Sequence, residues 1–273
     1  MYARRTTHTP QEAYIRRDSI DGTVTAISKW SKPRELLILE IMSGAGLFGS
    51  AVSEELNKKG FKVKIDFLNL SGKQLKDVES KFKRKVFEMD VRDVDRLTDE
   101  YAVIIERYGL KDLRKEDQPK TIKKIASKLK RNGLLVLVDM TCDKENKKII
   151  NDSHALKQKL GGQKEKLDDK CNIPAIQEWR KLLKNAGLRI VFETRFNVGV
   201  SMRAWFESGQ IDEIVLTKMR KFFKSKPAKE KKSISMREHE EDIKMTLPII
   251  VLAGERVLAG NSETITTTST ESR

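Results

Sequence analysis

One stretch constrains the fold of this chain most strongly: an apolar run that passes through glycines into a helical pattern. Residues Leu36 to Leu39 are all apolar, as expected for a strand buried on both faces of a parallel sheet. The run ends at Glu40, and helical spacing begins after Gly44 and Gly46. A strand that turns through glycines into a helix presents backbone N–H groups at the helix N-terminus. The sequence therefore predicts a site for a nucleotide-type ligand at this turn.

The rest of the chain repeats the alternation of strand and helix. Six further strand patterns cover residues 61–70, 85–91, 101–106, 134–139, 188–196 and 246–251, and amphipathic helical patterns separate most of them. Strands that alternate with helices are typical of parallel sheets covered on both faces. The order predicts an α/β fold with a Rossmann-like, doubly wound and mostly parallel sheet of seven strands.

The first turn resembles motif I of the class I S-adenosylmethionine-dependent methyltransferases. In that motif an apolar strand, an acid and a short Gly-x-Gly loop follow one another, as Ile38-Leu39-Glu40 and Ser43-Gly44-Ala45-Gly46 do here. Met42 stands where the family has its first glycine, but the Gly-Ala-Gly core of the turn is kept. The resemblance implies an enzyme, S-adenosyl-L-methionine as its cofactor, and a last strand that runs antiparallel between the fifth and the sixth.

The resemblance also assigns cofactor-binding positions in the turn and at the ends of the next three strands. They are Glu40, Met42, Ser43, Gly44, Ala45, Gly46, Asn69, Leu70, Asp90, Val91 and Glu106. Asn69 replaces the family's aspartate at the ribose hydroxyls, where an amide still bonds a hydroxyl but without charge. Asp66 is the alternative. Residues 66 and 69 are three apart on one strand, so their side chains point to opposite faces of the sheet and only one of them can face the site.

The resemblance also implies acceptor-binding positions at three further places. Tyr14 belongs to a predicted helix over residues 10–18, Arg107 and Tyr108 follow the fourth strand, and Arg203 and Trp205 precede the last strand. No catalytic residue is assigned. No metal is expected, because the cysteines, at positions 142 and 171, do not have the spacing of a metal site.

The patterns divide the chain into three parts. Residues 1–33 are expected to form a helical cap, residues 34–257 the methyltransferase domain, and residues 258–273 a disordered tail. Within the domain, residues 141–172 are expected to be a polar insert or lid. Residues 224–244 are expected to be a basic loop.

Charge leaves the acceptor open. The chain has 55 Lys and Arg against 40 Asp and Glu, a net charge of +15, and 38% hydrophobic residues. We expect a small-molecule acceptor, with an RNA or DNA methyltransferase as the alternative, because phosphates attract such a chain. A third reading is a methyltransferase-like scaffold that has lost its cofactor, which only Met42 and Asn69 support. No apolar run of membrane-spanning length and no secretory signal are recognised, and the two cysteines form no disulfide framework, so a cytoplasmic location is expected. The oligomeric state is not predicted.

Overall fold

A central sheet of eight strands organises the chain. The computed structural model describes residues 10–30, 34–82, 84–160, 172–202, 213–239 and 242–257. In chain order the strands are β1 (Glu35–Ile41), β2 (Lys62–Asn69), β3 (Val86–Glu88), β4 (Tyr101–Arg107), β5 (Leu129–Met140), β6 (Leu188–Ser201), β7 (Arg237–His239) and β8 (Asp242–Arg256).

The strand order confirms the predicted doubly wound sheet and corrects the number of strands. The order is β3-β2-β1-β4-β5-β8-β6, and β8 runs antiparallel between β5 and β6, as expected for the last strand. The eighth strand is β7, which pairs antiparallel with the start of β8 and was not predicted. Three residues are too few to produce a recognisable alternating pattern.

Helices cover both faces of the sheet. They are α1 (Pro10–Trp30), α2 (Leu47–Lys58), α3 (Gly72–Phe82), α4 (Asp117–Ser127), α5 (Lys147–Leu160), α6 (Ile176–Asn185), α7 (Glu213–Lys224) and α8 (Ala228–Ser233). Buried side chains of α1, α2, α3, α5 and α7 belong to the hydrophobic core on one face, and those of α4 and α6 to the core on the other. The helix after β1 and the helix after β4 therefore lie on opposite faces, so the winding reverses between these two neighbouring strands. In open α/β sheets, ligands bind at this switch point, beyond the carboxyl ends of the strands.

The first helix is longer than predicted. The sequence indicated a helix over residues 10–18, whereas α1 continues to Trp30. Its second half contains Gly22 and β-branched residues, which have low helix propensity. Thr23, Val24 and Ile27 are nonetheless buried, and α1 packs against α2, β5, β6 and β8. Burial of this face, which local sequence does not report, extends the helix.

The third strand is shorter than predicted. The pattern over residues 85–91 is a strand only from Val86 to Glu88. Asp90 then accepts a hydrogen bond from the Arg92 N–H at 2.9 Å and begins a 3₁₀ helix over Val91–Arg96. A side-chain acceptor at this position favours a helical turn over continued strand pairing.

Two polar segments have more regular structure than their composition indicated. The segment 141–172 contains α5, with Ile149 and Ile150 in the core, while residues 161–171 lie outside the described part. The segment 224–244, expected to be a basic loop, contains α8 and β7. Buried Ile234 between these two elements belongs to the core, so the segment is anchored to the domain.

Trp179 joins α6 to the sheet and gives a test of the fold. Its side chain is fully buried, and its Nε1–H donates to the Met140 carbonyl at 3.0 Å. Trp179→Phe should lower the free energy of unfolding by about 2 kcal/mol, because a buried hydrogen bond and packing volume are lost. Trp30→Phe is the matched control, since the partly buried indole of Trp30 donates to Glu255 at 3.3 Å. Urea denaturation should show a clearly smaller loss for the control, and equal losses would contradict this account of α6.

Candidate cofactor site at the carboxyl edge of the sheet

Strand register brings most of the predicted residues to one edge. Ile41 pairs with Leu68 on one side and with Glu106 on the other, and Arg107 pairs with Val138. The carboxyl ends of β1, β2, β4 and β5 therefore lie at the same level of the sheet. The turn after β1 and the turn after β4 meet at the switch point, where Met42 packs so closely on Gly109 that a Cβ there would lie 2.4 Å from the Met42 sulfur.

The glycine turn has the conformation that its sequence requires. Met42, Gly44 and Gly46 have φ angles of 53°, 56° and 67°, in the left-handed region. A Cβ at Gly46 would lie 2.9 Å from the Phe67 ring, so the turn needs glycine there for space as well as for φ. At Gly44 no atom lies within 4 Å of the Cβ position. The surface of the turn is therefore open at Gly44, beside the N-terminus of α2, which has no side-chain cap.

Asn69 connects the turn to the end of β2. Its Oδ1 accepts from the Gly44 N–H at 3.2 Å, and its Nδ2 donates to Gln74 Oε1 at 2.9 Å and to the Ser71 carbonyl at 3.3 Å. Both amide hydrogens are thus used within the protein, while Oδ1 keeps a second lone pair. The contact fixes the position of Gly44, and ribose binding by Asn69 stays a prediction.

Asp66 lies on the opposite face of the sheet, in the core that contains Leu68. Its carboxylate accepts from the Tyr101 hydroxyl at 3.4 Å, at the start of β4. Burial raises the pKa of Asp66. This alternative to Asn69 is therefore placed in the middle of its strand, away from the glycine turn.

The remaining predicted positions at the ends of β2 and β3 differ in exposure. Leu70, which follows β2 directly, is 51% exposed. Asp90 caps the 3₁₀ helix and binds the Arg92 guanidinium at 2.6 and 3.0 Å, while Val91 is buried in the core. Ala45 lies within the turn between Gly44 and Gly46.

Glu40 is buried at the end of β1 with an unsatisfied oxygen. Its carboxyl lies against the first turn of α2, where a Cβ at Gly49 would be 2.5 Å from Oε2. Burial raises the pKa of Glu40 to about 8, against the lowering effects of the Gly49 backbone amide and the charge of Arg107. The amide of Gly49 lies close, but no donor meets Oε2 with hydrogen-bond geometry.

The turn after β4 presents Arg107 between two aromatic rings. The guanidinium carbon lies 5.2 Å from the Phe48 ring centre and 4.7 Å from that of Tyr108. Tyr108 has a φ of 58° and is packed against α1, where burial raises its pKa while Arg107 and Ser19 lower it. Glu106 is fully buried, and its Oε1 accepts from the backbone N–H groups of Gly109 and Leu110.

A buried cluster of charged residues lies beside this turn and was not predicted from the sequence. It joins Lys111 to Asp112 at 3.4 Å and to Asp139 at 3.9 Å, and Asp112 to His154 Nε2 at 2.8 Å. Burial raises the pKa of Asp139 to about 6, although Lys111 lowers it. Burial also raises the pKa of Glu106, and the neighbouring Asp139 raises it further. Asp139 ends an apolar strand as Glu40 does, so the same rule applied to β5 would have found it, whereas no local pattern marks His154.

The other predicted residues lie outside the described part of the chain. These are Arg203 and Trp205, together with the side chain of Tyr14, whose backbone belongs to α1. Over the described ranges, no group of three or more His, Cys, Asp or Glu residues is arranged to hold a metal ion. No described helix is both long and apolar enough to cross a membrane.

Sequence comparison identifies the family. A family described as "Methyltransferase domain" matches residues 13–193, which is more than half of the chain. The chain belongs to this methyltransferase family. The resemblance to the class I S-adenosylmethionine-dependent methyltransferases is thereby confirmed, and with it the Rossmann-like fold and the cofactor that this class uses. No curated protein matches the sequence.

Solved structures share the fold of this methyltransferase at low sequence identity. The YcgJ protein from Bacillus subtilis is 14% identical, with a TM-score of 0.71 over 89% of this chain and 99% of its own. A Bacillus halodurans protein described as a methyltransferase is 13% identical, with a TM-score of 0.70 over 87% and 100%. A Galdieria sulphuraria protein described as a sarcosine dimethylglycine methyltransferase is 17% identical, with a TM-score of 0.56 over 90% and 87%. At these identities the likeness shows the fold alone.

The carboxyl edge of the sheet has buried polar side-chain atoms that are suited to bind the polar groups of the cofactor. Buried side-chain polar atoms in native proteins almost always have hydrogen-bond partners. Within the described part of the chain, four buried atoms at the carboxyl ends of β1 and β4 have no such partner: Glu40 Oε2, Ser43 Oγ, Glu106 Oε2 and Arg107 Nε. Together with the open face of Gly44, they provide acceptors and donors where a polar nucleoside derivative would bind.

Glu40 makes the stability of the methyltransferase depend on pH. Its pKa is raised from 4.5 to about 8, so the folded protein keeps a proton that the unfolded chain loses. The stability of the folded state, as far as it depends on Glu40, is highest below about pH 4.5, where the group is protonated in both states. It falls as the pH rises towards 8, because the unfolded chain then gives up the proton more readily than the folded protein does. Between pH 6.5 and 7.5 the loss should be roughly 1 kcal/mol, and Glu40→Gln should remove it. Urea denaturation at both pH values measures the difference. Glu35→Gln, at the exposed start of the same strand, should keep the wild-type slope.

Asp112 tests the buried cluster. Its pKa is lowered, because the charge of Lys111 and the hydrogen bond from His154 together outweigh the opposing effect of burial. Asp112→Asn should destabilise the protein by about 2–4 kcal/mol, since Lys111 then keeps a buried charge with a weakened set of partners. Asp99→Asn breaks an exposed pair with Lys85 and should cost less than about 1 kcal/mol. Thermal and urea unfolding of both variants provide the measurement, and similar losses would show that the cluster does not act as a buried network.

Proposed function

We propose that this chain transfers the methyl group of S-adenosylmethionine to a small-molecule acceptor at the switch point between β1 and β4. The observation that carries the proposal is the open glycine turn after β1, together with buried polar atoms of Glu40, Ser43 and Arg107 at the ends of β1 and β4 that have no partner among the described residues. A sulfonium cofactor supplies an activated methyl group. The protein then needs chiefly to align donor and acceptor for in-line displacement.

The residues of the edge divide into two groups by position. We assign the turn from Met42 to Gly46, together with Glu40, to the amino-acid and sugar parts of the cofactor. Leu70, with its exposed side chain, and the segment Asp90–Val91 are assigned to the adenosine part. The assignments rest on strand register, which brings these segments to one edge.

The acceptor side is assigned to the other half of the edge, at the ends of β4 and β5. Tyr108 contributes from the turn after β4, whereas Glu106, near the end of that strand, is assigned to the cofactor. The carboxyl ends of β5 and β6 lead into α5 and towards α7, which pack on one another. We propose that this packed pair limits the size of the acceptor. No general base is assigned, because methyl transfer needs one only where the acceptor atom carries a proton.

The alternative acceptor is a nucleic acid, which the net charge of +15 favours. Several lysines counted in that charge pair with acids: Lys226 and Lys148 both bind Asp152 at 2.8 Å, and Lys147 binds Glu178 at 2.7 Å. Paired lysines are less available to phosphates. Methyl transfer into purified RNA at physiological salt would replace the small-molecule proposal by this one. The cytoplasmic location stays a prediction.

Gly44 gives the sharpest test of the proposed site. Gly44→Val would place a side chain in the open space above the turn, so S-adenosylhomocysteine should bind at least roughly 100-fold more weakly, as measured by titration calorimetry. Gly60→Val is a matched control, because Gly60 also has a positive φ, 82°, and also has no atom within 4 Å of its Cβ position.

The two variants should lose similar stability, because both place a β-branched residue in the left-handed region. Only Gly44→Val should lose the ligand. Equal affinity in a folded Gly44→Val variant would overturn the site. Failure of the wild type to bind would support the reading of a scaffold without cofactor.

A further inference from the structure

A carboxyl group and a guanidinium lie at the same corner of the site without pairing with each other. Glu40 on β1 pairs in register with Ile105 on β4, and Arg107 lies two residues further along β4. Residues two apart on a strand share a face, so both side chains lie on the α2 face of the sheet. They are close enough that the charge of Arg107 lowers the pKa of Glu40. They nevertheless do not form an ion pair, and Glu40 Oε2 and Arg107 Nε are each buried without a hydrogen-bond partner among the residues that the structure describes.

The guanidinium of Arg107 is held by stacking and not by a carboxylate. The rings of Phe48 and Tyr108 lie within about 5 Å of its central carbon, which restricts the orientation of the group. A buried donor without an acceptor is costly, and native proteins retain such groups mainly where a ligand or function uses them. A planar guanidinium with a fixed orientation is the preferred partner of a carboxylate.

A carboxyl group beside a guanidinium provides one partner for each charged group of an α-amino acid. The ammonium of an amino acid suits Glu40, and its carboxylate suits Arg107. Glu40 already lies beside the glycine turn, which the proposed function assigns to the cofactor. Arg107 was expected to bind the acceptor on resemblance alone, but its side chain stacks on Phe48, in the first turn of α2, and so leans towards the turn.

We propose that Arg107 binds the carboxylate of the methionine part of S-adenosylmethionine, opposite Glu40 at the ammonium. This inference rests on the proposed function and moves Arg107 from the acceptor to the cofactor. The same chemistry has a second source, because a carboxylate on the acceptor would also suit the guanidinium. The position of Arg107 between α2 and the turn favours the cofactor, and ligands with and without the amino-acid part separate the two sources.

The test compares the affinities of two ligands for the same variants by titration calorimetry. S-adenosylhomocysteine has the amino-acid part, and 5′-methylthioadenosine lacks it. Arg107→Gln should weaken S-adenosylhomocysteine by about 10- to 100-fold, the effect of one charge-assisted interaction. It should change 5′-methylthioadenosine less than about twofold. Arg107→Lys, which keeps the charge and most of the stacking stem, should lose less than Arg107→Gln.

Arg34→Gln is the matched control. Arg34 also stacks on a ring, 4.8 Å from the centre of Phe61, but it precedes β1 at the opposite edge of the sheet. Both ligands should bind this variant as they bind the wild type. Thermal unfolding of each variant establishes that it is folded.

Each outcome decides the question. Unchanged S-adenosylhomocysteine affinity in both Arg107 variants would overturn the inference and assign the guanidinium to the acceptor. Equal losses for the two ligands would overturn it in favour of a structural role for Arg107. A wild type that binds 5′-methylthioadenosine but not S-adenosylhomocysteine would overturn the proposed function and the inference with it. A wild type that binds neither ligand would overturn the proposed function and the inference with it.

Discussion

The structure depends on a chain reversal that leaves the backbone in the left-handed region three times within five residues. Met42, Gly44 and Gly46 all have positive φ angles, and this lets β1 pass directly into α2. The consequence is a helix N-terminus without a side-chain cap at the centre of the sheet. Asn69 on the neighbouring strand then holds the turn through the Gly44 N–H. The site is therefore a direct result of how the two elements are joined.

A second constraint is the concentration of buried ionisable groups at the same edge. Carboxyl groups on β1, β4 and β5 are all fully or almost fully buried, and burial raises their pKa values. Such an arrangement is costly for stability unless the groups are paired, bonded to the backbone or neutral. Asp139 lies beside Lys111, and Glu106 accepts two backbone N–H groups at Oε1. Glu40 Oε2 and Glu106 Oε2 have no hydrogen-bond partner among the described residues. These two oxygens lie at the carboxyl ends of β1 and β4, the two strands that meet at the switch point.

Met42 stands where the family has a glycine, yet the turn after β1 keeps its left-handed backbone conformation at this position. Met42 adopts the φ angle that a glycine would adopt there, and its side chain packs on Gly109 in the turn after β4. Gly109 leaves room for this side chain, because a Cβ there would lie 2.4 Å from the methionine sulfur. The close approach of the two turns at the switch point is preserved by a different distribution of side-chain volume.

The sequence by itself determined the order of the elements, the place of the glycine turn and the family. These follow from patterns that are local: an apolar run, a glycine pair, and helices of regular spacing. Tertiary structure alone decided the length of α1, the strand β7 and the environment of Arg107. It also decided the cluster of Lys111, Asp139 and His154. Each of these depends on contacts between residues far apart in the chain, such as α1 with β8 or α5 with the turn after β4. Burial, charge and pairing are set by such contacts, and no window of sequence contains both partners.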